Sequence, residues 1–238
     1  MSAYRFPLDG DIAQDLRDTY GYSGDLAQIY CETTRGMVHK WHHYLPLYDR
    51  YFAPWRGKPL KMLEIGVSHG GSLSMWRRWF GPEATLFGID IDPACARFDG
   101  VNAAVRIGSQ DDPAFLHRVV DEMGGVDLVL DDGSHVMAHV RASFDTLFPR
   151  LSVGGLYMIE DMHTAYMPKF GGGLETPENV FRFASALVDD MHHWYHGGKP
   201  HEPGRAEWVA GVHMHDSILV IDKAKVHPPR HSRVGRAR

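Results

Sequence analysis

The feature that most constrains this chain is an alternation of short apolar runs with segments of helical spacing between Leu60 and Asp161. The runs are LKMLEIGV at 60–67, ATLFGIDID at 84–92, VRIG at 105–108, VDLVLDD at 126–132 and LYMIED at 156–161. Each is short enough to be a buried strand. Between them, residues 72–80, 113–123 and 137–148 carry apolar side chains at three- and four-residue spacing, and Gly81-Pro82 stops the first of these helices. Strand and helix taken in turn require crossover connections, and the result is a parallel sheet covered by helices on both faces.

The flanking segments extend this plan. Residues 11–55 place Leu26, Ile29, Tyr30, Trp41, Tyr44, Leu45, Tyr48 and Phe52 at helical spacing, which predicts a helical preface. Gly154-Gly155 is expected to turn the chain into the fifth strand, and a helix is expected near 177–195. EWVAGVHMH and SILVID meet at Asp216-Ser217, a spacing that suits a closing antiparallel hairpin. We therefore divide the chain into a preface (1–58), a catalytic portion (59–222) and a basic, unstructured tail (223–238).

At 238 residues and 44% hydrophobic content, there is room for one full domain. Thirty acidic against 25 basic residues leave a formal charge of −5, which offers no general field for nucleic acid or an anionic membrane. Two cysteines, Cys31 and Cys95, make neither a disulfide framework nor a zinc ribbon. No run approaches the roughly 20 apolar residues of a membrane span, and the amino terminus lacks a secretion signal. The expectation is a cytoplasmic protein that takes a small-molecule partner and self-associates through its apolar preface.

In a doubly wound sheet, ligands bind beyond the carboxyl ends of the strands. There the first strand runs into Glu64, Gly66, Gly70 and Ser72, with glycines where backbone must approach a ligand and a serine able to cap the next helix. Asp90 ends the second strand, where a carboxylate accepts from both hydroxyls of a ribose, and Asp92 is its neighbouring competitor. Ser109, Gln110 and Asp111 after the third strand offer polar groups to an adenine edge. A dinucleotide is disfavoured because Ser68 stands where the second glycine of G-x-G-x-x-G would meet the pyrophosphate, and a P-loop is missing. S-adenosyl-L-methionine has no phosphates and fits these groups better.

The fourth strand ends in Asp131-Asp132-Gly133-Ser134-His135 and the fifth in Glu160-Asp161-Met162-His163. Neighbouring strands lie about 4.8 Å apart, so their acids crowd one rim, where a hard cation such as Mg²⁺ relieves the repulsion. Asp132, Glu160 and Asp161 are the expected ligands, and His135 is within reach of a substrate hydroxyl on the metal. Alternation along the strand turns Asp131 to the other side, towards a structural role.

Taken together, LEIGVSHGGS, GIDID, GSQDD, LDDGSH, IEDMHTAY and HDSILVIDK resemble the metal-dependent sugar O-methyltransferases of antibiotic biosynthesis, the group of the mycinamicin and rhamnosyl enzymes, over about residues 25–225. The resemblance implies a class I S-adenosylmethionine-dependent methyltransferase fold, with a mostly parallel seven-stranded sheet. It also implies Asp132, Glu160 and Asp161 as magnesium ligands, His135 as general base, and Glu64, Gly66, Asp90, Ser109 and Gln110 at the cofactor. The substrate would be a sugar hydroxyl of a glycosylated natural product. The catechol enzymes are similar in plan but carry Lys where His135 stands and Asn where Asp161 stands. A nucleoside-binding module without catalysis is the reading from another class. The mycinamicin type also carries a large amino-terminal domain with no counterpart here, which leaves assembly and part of the substrate wall open.

Several features have two readings. Residues 163–176, with Tyr166, Phe170 and three glycines, suit a lid or a plain connector. Tyr44 and Tyr48 suit a cover for the cofactor or core packing. The pairs His192/His196 and His213/His215 lack a third metal ligand. The arginines at 230, 233, 236 and 238 read as a solvated terminus.

Overall fold

The structure, a computed structural model, describes residues 4–34 and 36–235. The chain divides into two compact units, Met1–Gly108 and Ser109–Arg238. The first holds helices α1 (Ile12–Tyr20), α2 (Asp25–Cys31), α3 (Tyr44–Phe52) and α4 (Gly71–Phe80), with strands β1 (Lys61–Ile65), β2 (Thr85–Asp90) and β3 (Ala104–Ile107). The second holds α5 (Pro113–Met123), β4 (Val126–Asp131), α6 (Met137–Leu147), β5 (Leu151–Ile159) and α7 (Val180–Met191). Two single-turn helices follow, α8 (His193–His196) and α9 (Pro203–Ala206), and then β6 (Val209–His215) and β7 (Ile218–Lys223). No described helix is long and apolar enough to cross a membrane.

The strands form a seven-stranded sheet in the order β3-β2-β1-β4-β5-β7-β6. The pairs β1/β2, β2/β3 and β4/β5 are parallel, whereas β7 runs antiparallel to both β5 and β6. The expected alternation and the closing hairpin are therefore both present.

Local sequence explains the boundaries. Asp11 caps α1 by accepting from the Gln14 amide at 2.9 Å, and Gly21 closes that helix at φ 62°. Asp112 accepts from Ala114 and Phe115 at the start of α5, Pro113 fills the first helical position, and Gly124 ends the helix at φ 71°. Phe115, Leu116, Val119, Val120 and Met123 are all buried, as their spacing predicts.

Two expectations change. Gly154-Gly155 does not turn the chain before a strand; β5 runs unbroken from Leu151 to Ile159, and its register against β4 shifts between Val126 and Leu128. Gly154 takes φ 85° within this irregularity, so the pair bends a strand rather than connecting two elements. The preface helices are present, but Leu16, Leu26, Ile29, Leu45 and Phe52 are buried within the first unit. These side chains belong to the core, and the exposed apolar side chains of the preface are instead Tyr4, Leu8, Tyr20 and Met37. Tyr44 and Tyr48 are also fully buried, edge-to-face at 6.1 Å, so they are core residues. Residues 224–235 carry neither helix nor strand, and Arg236 and Arg238 of the expected tail lie outside the described residues.

A Cβ at Gly155 would stand 2.6 Å from the Asp127 carbonyl oxygen and 2.7 Å from that of Ser152, both backbone atoms that cannot turn aside. Gly155→Ala is expected to destabilise the fold by about 1–3 kcal/mol, the usual cost of overpacking, measured as a lowered urea midpoint.

Candidate active site

The turn from β1 into α4 is built on left-handed backbone, with Gly66 at φ 97°, Ser68 at 49° and Gly70 at 71°. At Gly70 a Cβ would also stand 2.7 Å from the Phe98 ring. Asp90 holds this turn from the end of β2, its Oδ2 accepting from the amides of Val67 at 3.0 Å and Ser68 at 2.8 Å. Its Oδ1 accepts from the Asp92 amide at 2.9 Å. Two carboxylate oxygens offer about four acceptor sites, so Asp90 keeps capacity for a ribose. Asp92 is committed elsewhere, capping the 3₁₀ turn Pro93–Phe98 through the Ala94 amide.

Glu64 and Ser72 are close partners, in an arrangement the sequence did not indicate. Gly70, not Ser72, occupies the N-cap of α4, and Ser72 sits one residue into the helix. Its hydroxyl donates to Glu64 Oε2 at 2.8 Å, while Trp76 Nε1 donates to Glu64 Oε1 at 2.9 Å. The expected capping role is thus corrected: Glu64 is fully buried, and a buried carboxylate captures nearby donors. The pair locks α4 onto β1 beneath the glycine turn.

In the second unit, the three residues after β3 separate into different surroundings. Ser109 donates to the Asp111 carboxylate, and this hydrogen bond holds that carboxyl below its usual range. His139 completes the group, with Nε2 at 3.5 Å from Asp111 and Nδ1 at 3.0 Å from the Ser134 hydroxyl. The sequence reading missed His139; its only signal is a place in the first turn of the helix that follows DGSH. Gln110 is buried: Nε2 donates to Asp131 Oδ1 at 3.1 Å, and Oε1 accepts from the Ser134 amide at 2.6 Å. Its amide is therefore engaged with the β4 end, whereas the sequence reading aimed it at an adenine.

Asp131 is the buried anchor of that end. It accepts from Ser143 Oγ at 2.6 Å and the Tyr157 hydroxyl at 3.1 Å in addition to Gln110. Burial nonetheless pushes its carboxyl above the usual range. The structural role read from strand alternation is what the chain uses.

Asp132, one residue on, faces the opposite way. Its Oδ1 lies 3.8 Å from His135 Nε2, and Asp161 Oδ2 lies 3.7 Å from the same nitrogen. Among the described residues, Asp132, His135 and Asp161 are the one group of three or more whose ligand atoms all fall within 4.8 Å of one another. Each is about one-fifth exposed, so the group faces solvent without being flooded by it. His135 and Asp161 both take left-handed backbone, φ 56° and 58°, a strain that persists where surrounding contacts over-determine it. Glu160, the third expected ligand, is buried and falls outside this group, while His135, expected only as a base, falls inside it. Phe170, from the 163–176 segment, sets its ring edge-on to His135 at 6.2 Å.

Two oxygens from Asp132 and Asp161 suit a hard divalent cation, and an imidazole beside them suits either ligation or proton transfer. The other histidine pairs do not form such sets. His192 and His196 bond to the carbonyls of Val188 and Asp189, and His213 pairs with Asp222 at 2.7 Å.

Residues 63–162 match the family described as a methyltransferase domain. With the sheet order and the strand-end groups, this defines the class: the chain carries a class I methyltransferase domain. More narrowly, it is a homologue of sugar O-methyltransferases from antibiotic pathways. It is 37% identical over 215 residues to the 8-demethyl-8-(2-methoxy-alpha-L-rhamnosyl)-tetracenomycin-C 3'-O-methyltransferase of Streptomyces olivaceus, covering 85% of this chain and 54% of the relative. It is 37% identical over 213 residues to the mycinamicin VI 2''-O-methyltransferase of Micromonospora griseorubida, covering 84% of this chain and 52% of the relative. Among solved structures it resembles the MycE methyltransferase of the mycinamycin pathway, in complex with Mg, SAH and mycinamycin VI. The identity is 34% and the TM-score 0.76, with 85% of this chain and 54% of that one covered. The chain thus spans about half the length of the relatives it matches.

Tyr157→Phe removes one of the donors that Asp131 needs and keeps the ring packing. The expected cost is about 1–3 kcal/mol of stability, for a buried acceptor left short of a partner, and urea unfolding at neutral pH measures it.

Proposed function

We propose that this chain catalyses S-adenosyl-L-methionine- and Mg²⁺-dependent methylation of a sugar hydroxyl, of rhamnosyl type, on a glycosylated natural product. The observation that carries the reading is the Asp132–His135–Asp161 group, two carboxylates and an imidazole within 4.8 Å at the ends of β4 and β5. The relatives named above supply the acceptor class. Residues 59–222 are the proposed catalytic portion, with 1–58 as its preface and 223–238 as a basic tail.

When bound, S-adenosyl-L-methionine supplies an electrophilic methyl and Mg²⁺ supplies positive charge beside the acceptor hydroxyl. Asp132 and Asp161 hold the cation in this reading, with Glu160 as the adjoining carboxylate. His135 Nε2, under 4 Å from both aspartates, accepts the proton that the hydroxyl gives up as its oxygen takes the methyl, the carbon–sulfur bond breaking to release S-adenosylhomocysteine. Asp90 orients the ribose while keeping the glycine turn in place, Gly66 and Gly70 let backbone approach the cofactor, Ser109 and Asp111 border the adenine, and Gln110 serves the β4 end from beneath. Phe170 narrows the access of water to His135.

Methyl transfer to a rhamnosyl glycoside, with catechol offered in parallel, tests this reading. The glycoside is expected to be methylated, EDTA to abolish the reaction and Mg²⁺ to restore it; methylation of catechol alone would overturn the sugar assignment. His135→Ala should retain S-adenosylhomocysteine and Mg²⁺ binding in calorimetry and lose about 10²–10⁴-fold in kcat, the usual contribution of a general base. Asp161→Asn should instead raise the Mg²⁺ concentration needed for half-maximal rate.

A further inference from the structure

Two of the sequence pieces singled out above, the His of Glu160-Asp161-Met162-His163 and the Asp216-Ser217 turn, have no part in the chemistry so far. The fold brings them together. Asp161 takes φ 58°, a conformation that an L residue holds only when its neighbours impose it. The next two amides are both captured by Ser217. Met162 N–H donates to the Ser217 carbonyl at 3.0 Å, and His163 N–H donates to the Ser217 hydroxyl oxygen at 3.0 Å. The same hydroxyl pairs with His163 Nδ1 at 2.7 Å, and that nitrogen stands 3.9 Å from Asp161 Oδ1. From the other side, Thr164 donates to the Asp161 carbonyl through its amide at 3.0 Å and its hydroxyl at 2.7 Å.

Ser217 is buried and itself takes φ 62°, in the tight turn of the β6–β7 hairpin. Glycine or asparagine adopts that conformation more readily. A serine there bears backbone strain, and its hydroxyl reaches both the backbone and the ring of His163. We infer that Ser217 is a positioning residue for the Asp161 carboxylate and acts through His163. The hairpin turn fixes the His163 backbone and ring, and the ring limits where Asp161 Oδ1 can go. Partners one shell out from a metal ligand commonly change metal affinity 10–100-fold when removed. This inference rests on the reading of Asp161 as a cation ligand.

Direct titration of the ligand-free chain with Mn²⁺, followed by the paramagnetic resonance of the free ion, tests it without any turnover. Ser217→Gly removes the hydroxyl and its two contacts to His163 while relieving the backbone, effects of opposite sign on stability, and urea unfolding checks that the variant is folded before titration. It should bind Mn²⁺ about 10–100-fold more weakly. His163→Ala should lose a similar amount, and the double variant no more than the worse single, since both break one linkage. Ser217→Asn tolerates the left-handed backbone and keeps a side-chain acceptor, so it should recover most of the affinity. Parental affinity in Ser217→Gly, additive losses in the double variant, or an Asn variant as weak as Gly would each overturn the assignment. No Mn²⁺ binding by the unaltered chain would instead overturn the proposed cation site, and this inference with it.

Discussion

The carboxylate of Asp131 is the point on which the second unit's chemistry turns. A charged group at the end of a buried strand demands donors, and it draws them from three separate elements: Gln110 after β3, Ser143 on α6 and Tyr157 on β5. With Asp131 fixed inward, strand alternation leaves Asp132 facing outward, and Gln110 also holds the Ser134 amide on the path to His135. The positions of Asp132, the proposed cation ligand, and of His135, the proposed base, thus descend from one buried acid beneath them.

The first unit uses the same device. Glu64 is buried on β1 and satisfied by Ser72 and Trp76, so α4 is held to the strand by donors from its own first and second turns. Above it, Asp90 holds the glycine turn through two successive amides. In both units an acid kept out of solvent sets the backbone from which a more exposed group works.

Much of the plan was legible in the residues. Period and run length marked the five strands and three α-helices of the 60–161 region, because buried strands and amphipathic helices leave clear spacing, but not the 3₁₀ helix at Pro93–Phe98 or the first half of β5. That Asp132 and Asp161 would come together was legible because acids at adjacent strand ends must share a rim, whereas the burial of Glu160 and its exclusion from the group in favour of His135 were not. Hydrogen-bond choice was not. That Ser72 serves Glu64 rather than a helix cap, and that Gln110 turns towards Asp131, depends on which donors a buried carboxylate meets in three dimensions. The bulge at Gly154-Gly155 was read as a turn because glycine marks positive φ without saying whether the chain reverses there.

The antiparallel hairpin also has a kinetic meaning. Ser217 meets His163 across 54 positions of chain, so the loop bearing Asp161 acquires its final geometry only after the last two strands have been made and paired. Local elements such as α5 and the β4–β5 crossover can form earlier, since they close shorter loops. The backbone after Asp161 is therefore set by a contact of long sequence separation, so the geometry of the acidic rim depends on the completed hairpin and not on the parallel strands alone.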